Sequence, residues 1–319
     1  DLSEFTFQPD FVWIKGRNNT TNHVLSDVVR GATEVLESDS TAAEYTDATS
    51  ITSFDSDGFT LGASNDVNNG TAGYNSYVAW AWKANGSGVS NTDGSITSTV
   101  SANTGSGFSI VAYTGSTGVQ TVGHGLDAAP EIILVKNRSS SENWRVYSQA
   151  AGGGIGALKL NATDLFLTLS AFWNNTDTTS TVFTVNSAAP EVNENGRNHI
   201  AYCFHSVEGF SKFGSYTGNG SSDGPFVYTG FRPAFVITKP INTASSWCMH
   251  DSERTPANTG TMGYFKANTS DAELFNRFDM DLLSNGFKIK SSDADVNHSG
   301  GTVIYMAFAE NPFKYANAR

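Results

Sequence analysis

The side chains with the chemistry to move protons, hold metals or attack carbonyls are six histidines, two cysteines and 31 carboxylates in a chain of 319 residues. The histidines are His23, His124, His199, His205, His250 and His298, and no two stand at HxH or HExxH spacing, so they read as structural rather than as metal ligands. His250-Asp251 could be drawn with a nearby serine as a triad, but no GxSxG elbow accompanies it. With so many carboxylates some pairing is inevitable, and the sequence singles out no opposed acid pair of the kind glycoside hydrolysis needs. Asp55-Ser56-Asp57-Gly58 opens like a calcium loop and makes Asp55 and Asp57 the candidate Ca2+ ligands. The later ligands and the closing Glu are missing, and a turn into a strand at Phe59 is the simpler reading. No other cofactor is expected, and Asp293 and Asp295 make an equally ordinary loop. Cys203 and Cys248 stand too far apart for a CxxC site and read as two buried thiols, not a disulfide. Trp173, set among Asn174, Asn175 and Thr176, is the candidate sugar-stacking aromatic of an exposed loop. The triplets at Asn69, Asn161 and Asn268 fit the glycosylation pattern, but a chain this rich in Asn, Ser and Thr supplies them by composition.

The elements that must position these groups are strands. Hydrophobic residues make up 39% and charged residues 16%, with 21 Phe and 11 Tyr. A chain rich in Phe, Thr, Val and Gly but poor in Lys and Glu reads as all-β. The formal charge of -12 opposes binding to polyanionic nucleic acid or to anionic membranes. No run approaches the roughly 20 apolar residues a membrane helix needs.

Three segments open alike: Pro9-Asp10-Phe11-Val12-Trp13-Ile14-Lys15, Pro130-Glu131-Ile132-Ile133-Leu134-Val135-Lys136 and Pro233-Ala234-Phe235-Val236-Ile237-Thr238-Lys239. Eight residues past each Lys a second match begins, at His23, Trp144 and Trp247. Further strands fall at Gly58-Phe59-Thr60-Leu61, Val182-Phe183-Thr184-Val185 and Gly286-Phe287-Lys288-Ile289, and each segment closes on Trp82, Phe204 or Phe308. Pro9 to Trp82, Pro130 to Phe204 and Pro233 to Phe308 are separated by 73, 74 and 75 residues. Four landmarks in register point to a tandem repeat. The lead-ins Gly107-Phe108-Ser109 and Gly209-Phe210-Ser211 align as well, each running on to a Tyr-Thr-Gly at Tyr113 or Tyr216.

The expectation is therefore three tandem small β-sandwiches with jelly-roll or Greek-key connections. Their bounds are residues 1–85, 107–207 and 208–319, with 86–106 as a Gly/Ser/Thr-rich linker. The first unit keeps only a short lead-in, which reads as the truncated start of a part of a longer polypeptide. Closing strands alternate a large face (Val78, Trp80, Trp82; Ile200, Tyr202, Phe204; Ile304, Met306, Phe308) with a small one of mainly Ala and Cys. The large face is expected to fill each unit's own sandwich, giving three separate cores. Trp144 and Trp247 are expected in the core. Units two and three should pack as a pair while unit one melts nearly independently, and residues 270–281 hold the best helical stretch.

At this point the phrases GFSIVAYTGSTG, VGHGLDAAPEIILVKNRSSSENWRVY, GFSKFGSYTGNGSSDGPFVYTGFRPAFVITK, LLSNGFKIK and GGTVIYMAFAENPF carry a resemblance, as do PDFVWIKGRNNTTNHVLSDVVRG, SFDSDGFTLG and YVAWAWKA. They resemble a repeated domain of marine bacteriophage virion proteins, found in C-terminal regions of tail-fibre-like proteins and often behind a laminin-G-like sandwich. The resemblance covers nearly the whole chain. It implies a component of the virion surface, a tail or head fibre or adhesin, with no catalytic residues to carry over. Other virion proteins and a host-surface glycan or receptor are the partners it implies, and a homotrimer is the assembly common to phage fibres. A capsid decoration protein is the alternative in the same class, and a polysaccharide depolymerase the alternative from another. The expectation is a structural or binding protein and not an enzyme.

Overall fold

The structure, a computed structural model, describes residues 6–254, 262–275 and 280–310. It is nearly all β, with every paired strand of its sheets antiparallel. Three large sheets carry the chain. The first runs Tyr45–Thr46, Gly31–Leu36, Val24–Asp27, Phe11–Gly16, Tyr77–Trp82. The second runs Leu167–Thr168, Gly156–Lys159, Arg145–Ser148, Ile132–Asn137, Asn198–Phe204, Phe108–Thr114, Ser98–Asn103, Val89–Asn91. The third runs Ser211–Thr217, Thr302–Ala309, Pro233–Pro240, Cys248–Asp251, Phe265–Lys266.

The sequence landmarks fall in one register across all three. Opening strand meets closing strand at Phe11 with Trp82, Ile132 with Phe204 and Phe235 with Phe308. The same opening residues face Asp27, Ser148 and Asp251 on the other side. Proline precedes or starts each opening strand, where its missing N–H and fixed φ cost nothing.

Each large sheet is backed by a small one. Ile51–Asp55 pairs with Gly58–Leu61, Val119–Gly123 with Val182–Asn186, and Gly286–Ile289 lies between Phe226–Tyr228 and Met280–Leu283. Between large and small sheet lies an apolar layer for each: one around Val12, Ile14, Ile51 and Phe59, one around Ile133, Val135, Phe183 and Val185, and one around Val236, Leu282, Phe287 and Val303. Sandwich architecture follows directly, because each large sheet is apolar on both faces and must be covered twice.

The second cover corrects the expected face assignment. The large faces of the closing strands do not fill separate sandwiches. Trp80, Trp82, Ile200, Tyr202, Phe204, Ile304, Met306 and Phe308 all belong to one central cluster, joined by Phe11, Trp13, Trp144, Phe235 and Trp247. The small faces, including Ala201 and Cys203 or Ala307, turn instead to the unit's own second sheet. The reason is volume: a small face lets a tightly wrapped second layer approach, while bulky rings are needed to span the space where three sheets converge. Trp144 and Trp247 are core residues, as expected.

Three further expectations change with it. Residues 86–106 are not a linker: Val89–Asn91 and Ser98–Asn103 extend the second large sheet, and Val100 packs in its sandwich. Polar composition misled here because edge strands tolerate Ser, Thr and Asn. Unit one is not a loosely tethered bead, since Phe11 and Trp82 sit in the shared core. Residues 270–275 are not helical and Met280–Leu283 is a strand, with 276–279 outside the described residues. The lead-ins are also offset by one position, since Phe108 pairs with Phe204 whereas Ser211, not Phe210, pairs with Phe308.

Hydrogen bonds close the three sheets into a ring. Trp144 donates its indole N–H to the Glu37 carbonyl at 2.8 Å, and Trp247 to the Lys159 carbonyl at 2.7 Å. His23, at the matching position, places Nε2 3.1 Å from the Lys266 carbonyl. Second sheet thus reaches first, third reaches second, and first reaches third. Charged clusters reinforce two of the three junctions. Buried Arg30 holds Asp27 and Glu44 and donates to Tyr202 of the second sheet, while Glu44 also takes Arg138. Arg254 likewise holds Asp251 and Glu273, with Arg17 and the Trp80 indole of the first sheet completing the set. At the remaining junction Phe166 donates its backbone N–H to Ile241, where the other two have Glu44 on Arg138 and Glu273 on Arg17.

Candidate functional site

Both cysteines and five of the six histidines singled out in the sequence lie inside the scaffold, while His298 and Asp55 are half-buried and Asp57 is exposed. His23 and His250 are wholly buried, and burial pushes both imidazoles down to about 3. His23 accepts from the Trp13 indole at 2.8 Å, and His250 stacks on Tyr264. His250 and Asp251 do adjoin in one strand, but Asp251 is committed to Arg254 and the Trp80 indole. Burial also pushes the thiols of Cys203 and Cys248 up, and both are free and buried as expected. Lys15, Lys136 and Lys239 end their opening runs inside the protein, where burial lowers each to about 8. Their ammonium groups are capped by main-chain carbonyls, at Asn19, Glu142 and Ser245 among others.

Trp173 is corrected. It is 1% exposed, lies in the second sandwich core against Tyr147, and donates its indole N–H to the Gly156 carbonyl at 2.9 Å. The polar residues around it misled, because Asn174 and Asn175 adopt positive φ in a tight turn that folds the ring inward. Asp55 and Asp57 lie at the hairpin between Ile51–Asp55 and Gly58–Leu61, and the Asp55 carboxylate accepts from Thr60 at 2.8 Å. Among the described residues no group of three His, Cys, Asp or Glu converges as a metal site. Asn161 and Asn268 have structural duties: each accepts the backbone N–H of its Trp, Trp144 or Trp247, at 2.9 and 2.8 Å.

The surface feature that composition alone did not flag is on the third unit's small sheet. Phe226 and Tyr228 are 45% and 60% exposed, while Val227 between them is buried. Alternation along the strand fixes this: Val227 joins Phe287 and Leu282 in the core, so its two aromatic neighbours face water. Phe226, Lys288 and Asp281 stand side by side across the three strands, and Tyr228, Gly286 and Leu283 form the next row.

Gly286 shapes this face. A Cβ there would lie 2.1 Å from the Val227 carbonyl oxygen and 2.9 Å from Cζ of Phe226, so the missing side chain lets both the neighbouring backbone and the ring approach. Lys212 sets its ammonium 5.6 Å from the centre of the Tyr228 ring. Lys288 donates to the Gly224 carbonyl at 2.9 Å and pairs with Asp223 at 2.7 Å, which holds that carboxylate below its usual range. The result is two exposed rings bordered by ammonium and carboxylate groups. Such a surface matches a ligand with apolar C–H faces edged by hydroxyls. At the matching positions of the second unit Thr121 stands opposite Thr184, and Thr184 is buried. The signal available in the sequence was the Phe-Val-Tyr alternation itself, read against a Gly in the partner strand.

Residues 1–312 match the family described as a domain of unknown function, DUF7483. The chain belongs to this family. The DUF7483 match spans all three large sheets and the aromatic face alike. No curated protein and no solved structure matches the chain.

Proposed function

We propose that this DUF7483 chain is a structural protein of a bacteriophage particle surface, fibre-like, whose third unit presents a carbohydrate-contact face. The observation that carries the binding part is the pair of exposed rings, Phe226 and Tyr228, on a sheet whose other face is firmly packed. A rigid sheet keeps the rings in place before binding, so little conformational entropy is lost when a sugar stacks on them. The virion part rests on the resemblance of the long sequence phrases to marine phage virion proteins. In this reading the three sheets are copies of one unit, and the chain acts by binding and bearing load, without catalysis. The buried His23 and His250 and the two thiols serve packing, which fits their enclosure and their lowered or raised protonation constants. Other virion proteins anchor it, and a homotrimer is the proposed assembly.

A capsid decoration role is the second reading. The closed ring of three sheets favours it, because a body with a threefold outline suits a threefold lattice site. Antibody raised against the folded chain, applied to intact particles of the encoding phage and viewed by electron microscopy, tests both. Label on fibres supports the first reading and label spread over the head supports the second. Particles that contain no copy of the chain contradict the virion assignment.

A further inference from the structure

Two of the three closing strands are paired on both sides, and the first is not. Asn198–Phe204 lies between Ile132–Asn137 and the lead-in Phe108–Thr114, and Thr302–Ala309 between Pro233–Pro240 and the lead-in Ser211–Thr217. Tyr77–Trp82 pairs with Phe11–Gly16 alone and ends its sheet among the described residues. Arg17 donates its N–H to the Ser76 carbonyl at 2.7 Å, so by alternation Tyr77, Ala79 and Ala81 turn their N–H and C=O groups away from that partner. The counterparts of Ala79 are Ala201, paired with Val111, and Tyr305, paired with Gly214.

The side chains record the difference. Trp80 and Trp82 are 8% and 9% exposed, against 0% and 2% for Tyr202 and Phe204 at the same positions. Phe308, the other 9% member of the central cluster, lies against Trp82. Ala79 and Ala81 are half-buried where Ala201 and Cys203 are enclosed. A free edge that is apolar on both faces is one that proteins ordinarily cover.

The other two units show what covers it. Each lead-in strand carries a Tyr that donates its hydroxyl to a Val carbonyl, Tyr113 to Val192 at 2.6 Å and Tyr216 to Val296 at 2.5 Å. Asn193 and Asn297, next in each turn, accept with Oδ1 the backbone N–H three residues past that Tyr, from Ser116 and Asn219, both at 2.8 Å. The first unit has the same turn: Val67 and Asn68 donate their N–H groups to the Ser64 carbonyl as Val192 and Asn193 do to Ala189. Asn68 is exposed, its Nδ2 donates to the Gly62 carbonyl at 2.8 Å, and its Oδ1 accepts nothing among the described residues. Tyr77 directs its hydroxyl to the Asn65 carbonyl instead.

We propose that the Tyr77–Trp82 edge is a docking site for an extended strand donated by a partner polypeptide, with the pattern of the lead-ins: side chains alternating between shared interior and sandwich, then Tyr-Thr-Gly. Its main chain pairs with Tyr77, Ala79 and Ala81. An apolar side chain covers Trp82, as the Phe108 ring covers Phe204 at 4.8 Å, and the N–H beyond its Tyr reaches Asn68. The same interface occurs twice inside the chain, filled each time by a polypeptide strand, and this commits the site to that occupant.

A synthetic peptide with the sequence of residues 209–221 tests the site. It should bind the full chain one to one in calorimetric titration and slow hydrogen exchange at the Ala79 and Ala81 amides by more than about tenfold. The same peptide N-methylated at Gly214, which faces Tyr305 in the third unit and Ala79 here, should fail to bind, a control that leaves the protein unaltered. Asn68→Ala, an exposed change, should weaken binding by about tenfold with the melting temperature unchanged. No binding at concentrations on the order of millimolar, equal binding of the N-methylated peptide, or protection confined to other strands overturns the proposal. Self-association of the chain that the peptide disrupts would assign the edge to a second copy and overturn it likewise.

Discussion

The rings of Trp82 and Phe308, from closing strands at opposite ends of the chain, lie 5.7 Å apart at their centres. Phe204 completes the triangle, 6.4 Å from Trp82 and 6.0 Å from Phe308. The last large residue of each closing strand therefore meets the other two, and the three sandwiches share an interior.

That shared interior makes the chain one cooperative body. Phe308→Ala should cost about 3–5 kcal/mol, the usual loss for deleting a large buried ring and leaving a cavity. Calorimetry should show the entire transition move down as one peak. A low-melting third unit beside two unaffected ones would contradict the single core.

The charged junctions should be equally sensitive. Arg30→Met strands Asp27 inside the protein and should destabilise it by about 3–5 kcal/mol, while Arg30→Met combined with Asp27→Asn, whose amide oxygen still accepts the Val29 and Arg30 N–H groups, should recover part of the loss. Denaturant titration of the two variants checks this. Equal losses in both would show that packing, not charge, holds that junction.

Trp173→Ala should also cost about 3–5 kcal/mol, because its ring is core. The same substitution should leave any carbohydrate binding at the third unit unchanged at a temperature where the variant is folded. A variant as stable as the parent would return Trp173 to the surface.

Much of this arrangement was legible in the sequence. Strand positions, the register from Pro to closing aromatic, and the burial of Trp144 and Trp247 follow from alternation and repeat spacing. What alternation cannot tell is which partner a buried face meets. Trp82 reads as core in either case, and only the three-way convergence shows that its neighbours are Phe204 and Phe308. Residues 86–106 hid for a different reason, since an edge strand such as Val89–Asn91 needs few apolar residues. Trp173 reads as exposed because polar turn residues adjoin a side chain that folds beneath them, and Phe226 with Tyr228 give no signal in composition because an exposed aromatic has the same composition as a buried one.

Acid should unfold the protein through its enclosed imidazoles. His23 and His250 sit near 3 when folded and near 6.5 when unfolded. Below pH 6.5 the unfolded chain binds more protons, so stability falls by about 1.4 kcal/mol per pH unit for each histidine until the folded constant is reached. His250→Phe removes one such group whose ring nitrogens have no hydrogen-bond partner among the described residues. Its stability should fall less steeply than the parent's between pH 6.5 and pH 4, as read by urea midpoints. Parallel curves for the two proteins would contradict the buried, uncharged state of His250.

Binding of bacterial surface polysaccharides, measured on the intact chain, the Phe226→Ala/Tyr228→Ala variant and Gly286→Ala, tests the proposed function most directly. Both rings are largely exposed, so their loss should leave the melting temperature nearly unchanged while weakening binding by about 100-fold, on the order of 1–1.5 kcal/mol per ring. Gly286→Ala would set a Cβ 2.1 Å from the Val227 carbonyl oxygen as well as 2.9 Å from Cζ of Phe226, so it should lower the melting temperature as well as weaken binding. Undiminished affinity in the double variant, with the parent binding the same polysaccharide, would place the carbohydrate contact elsewhere and contradict the account.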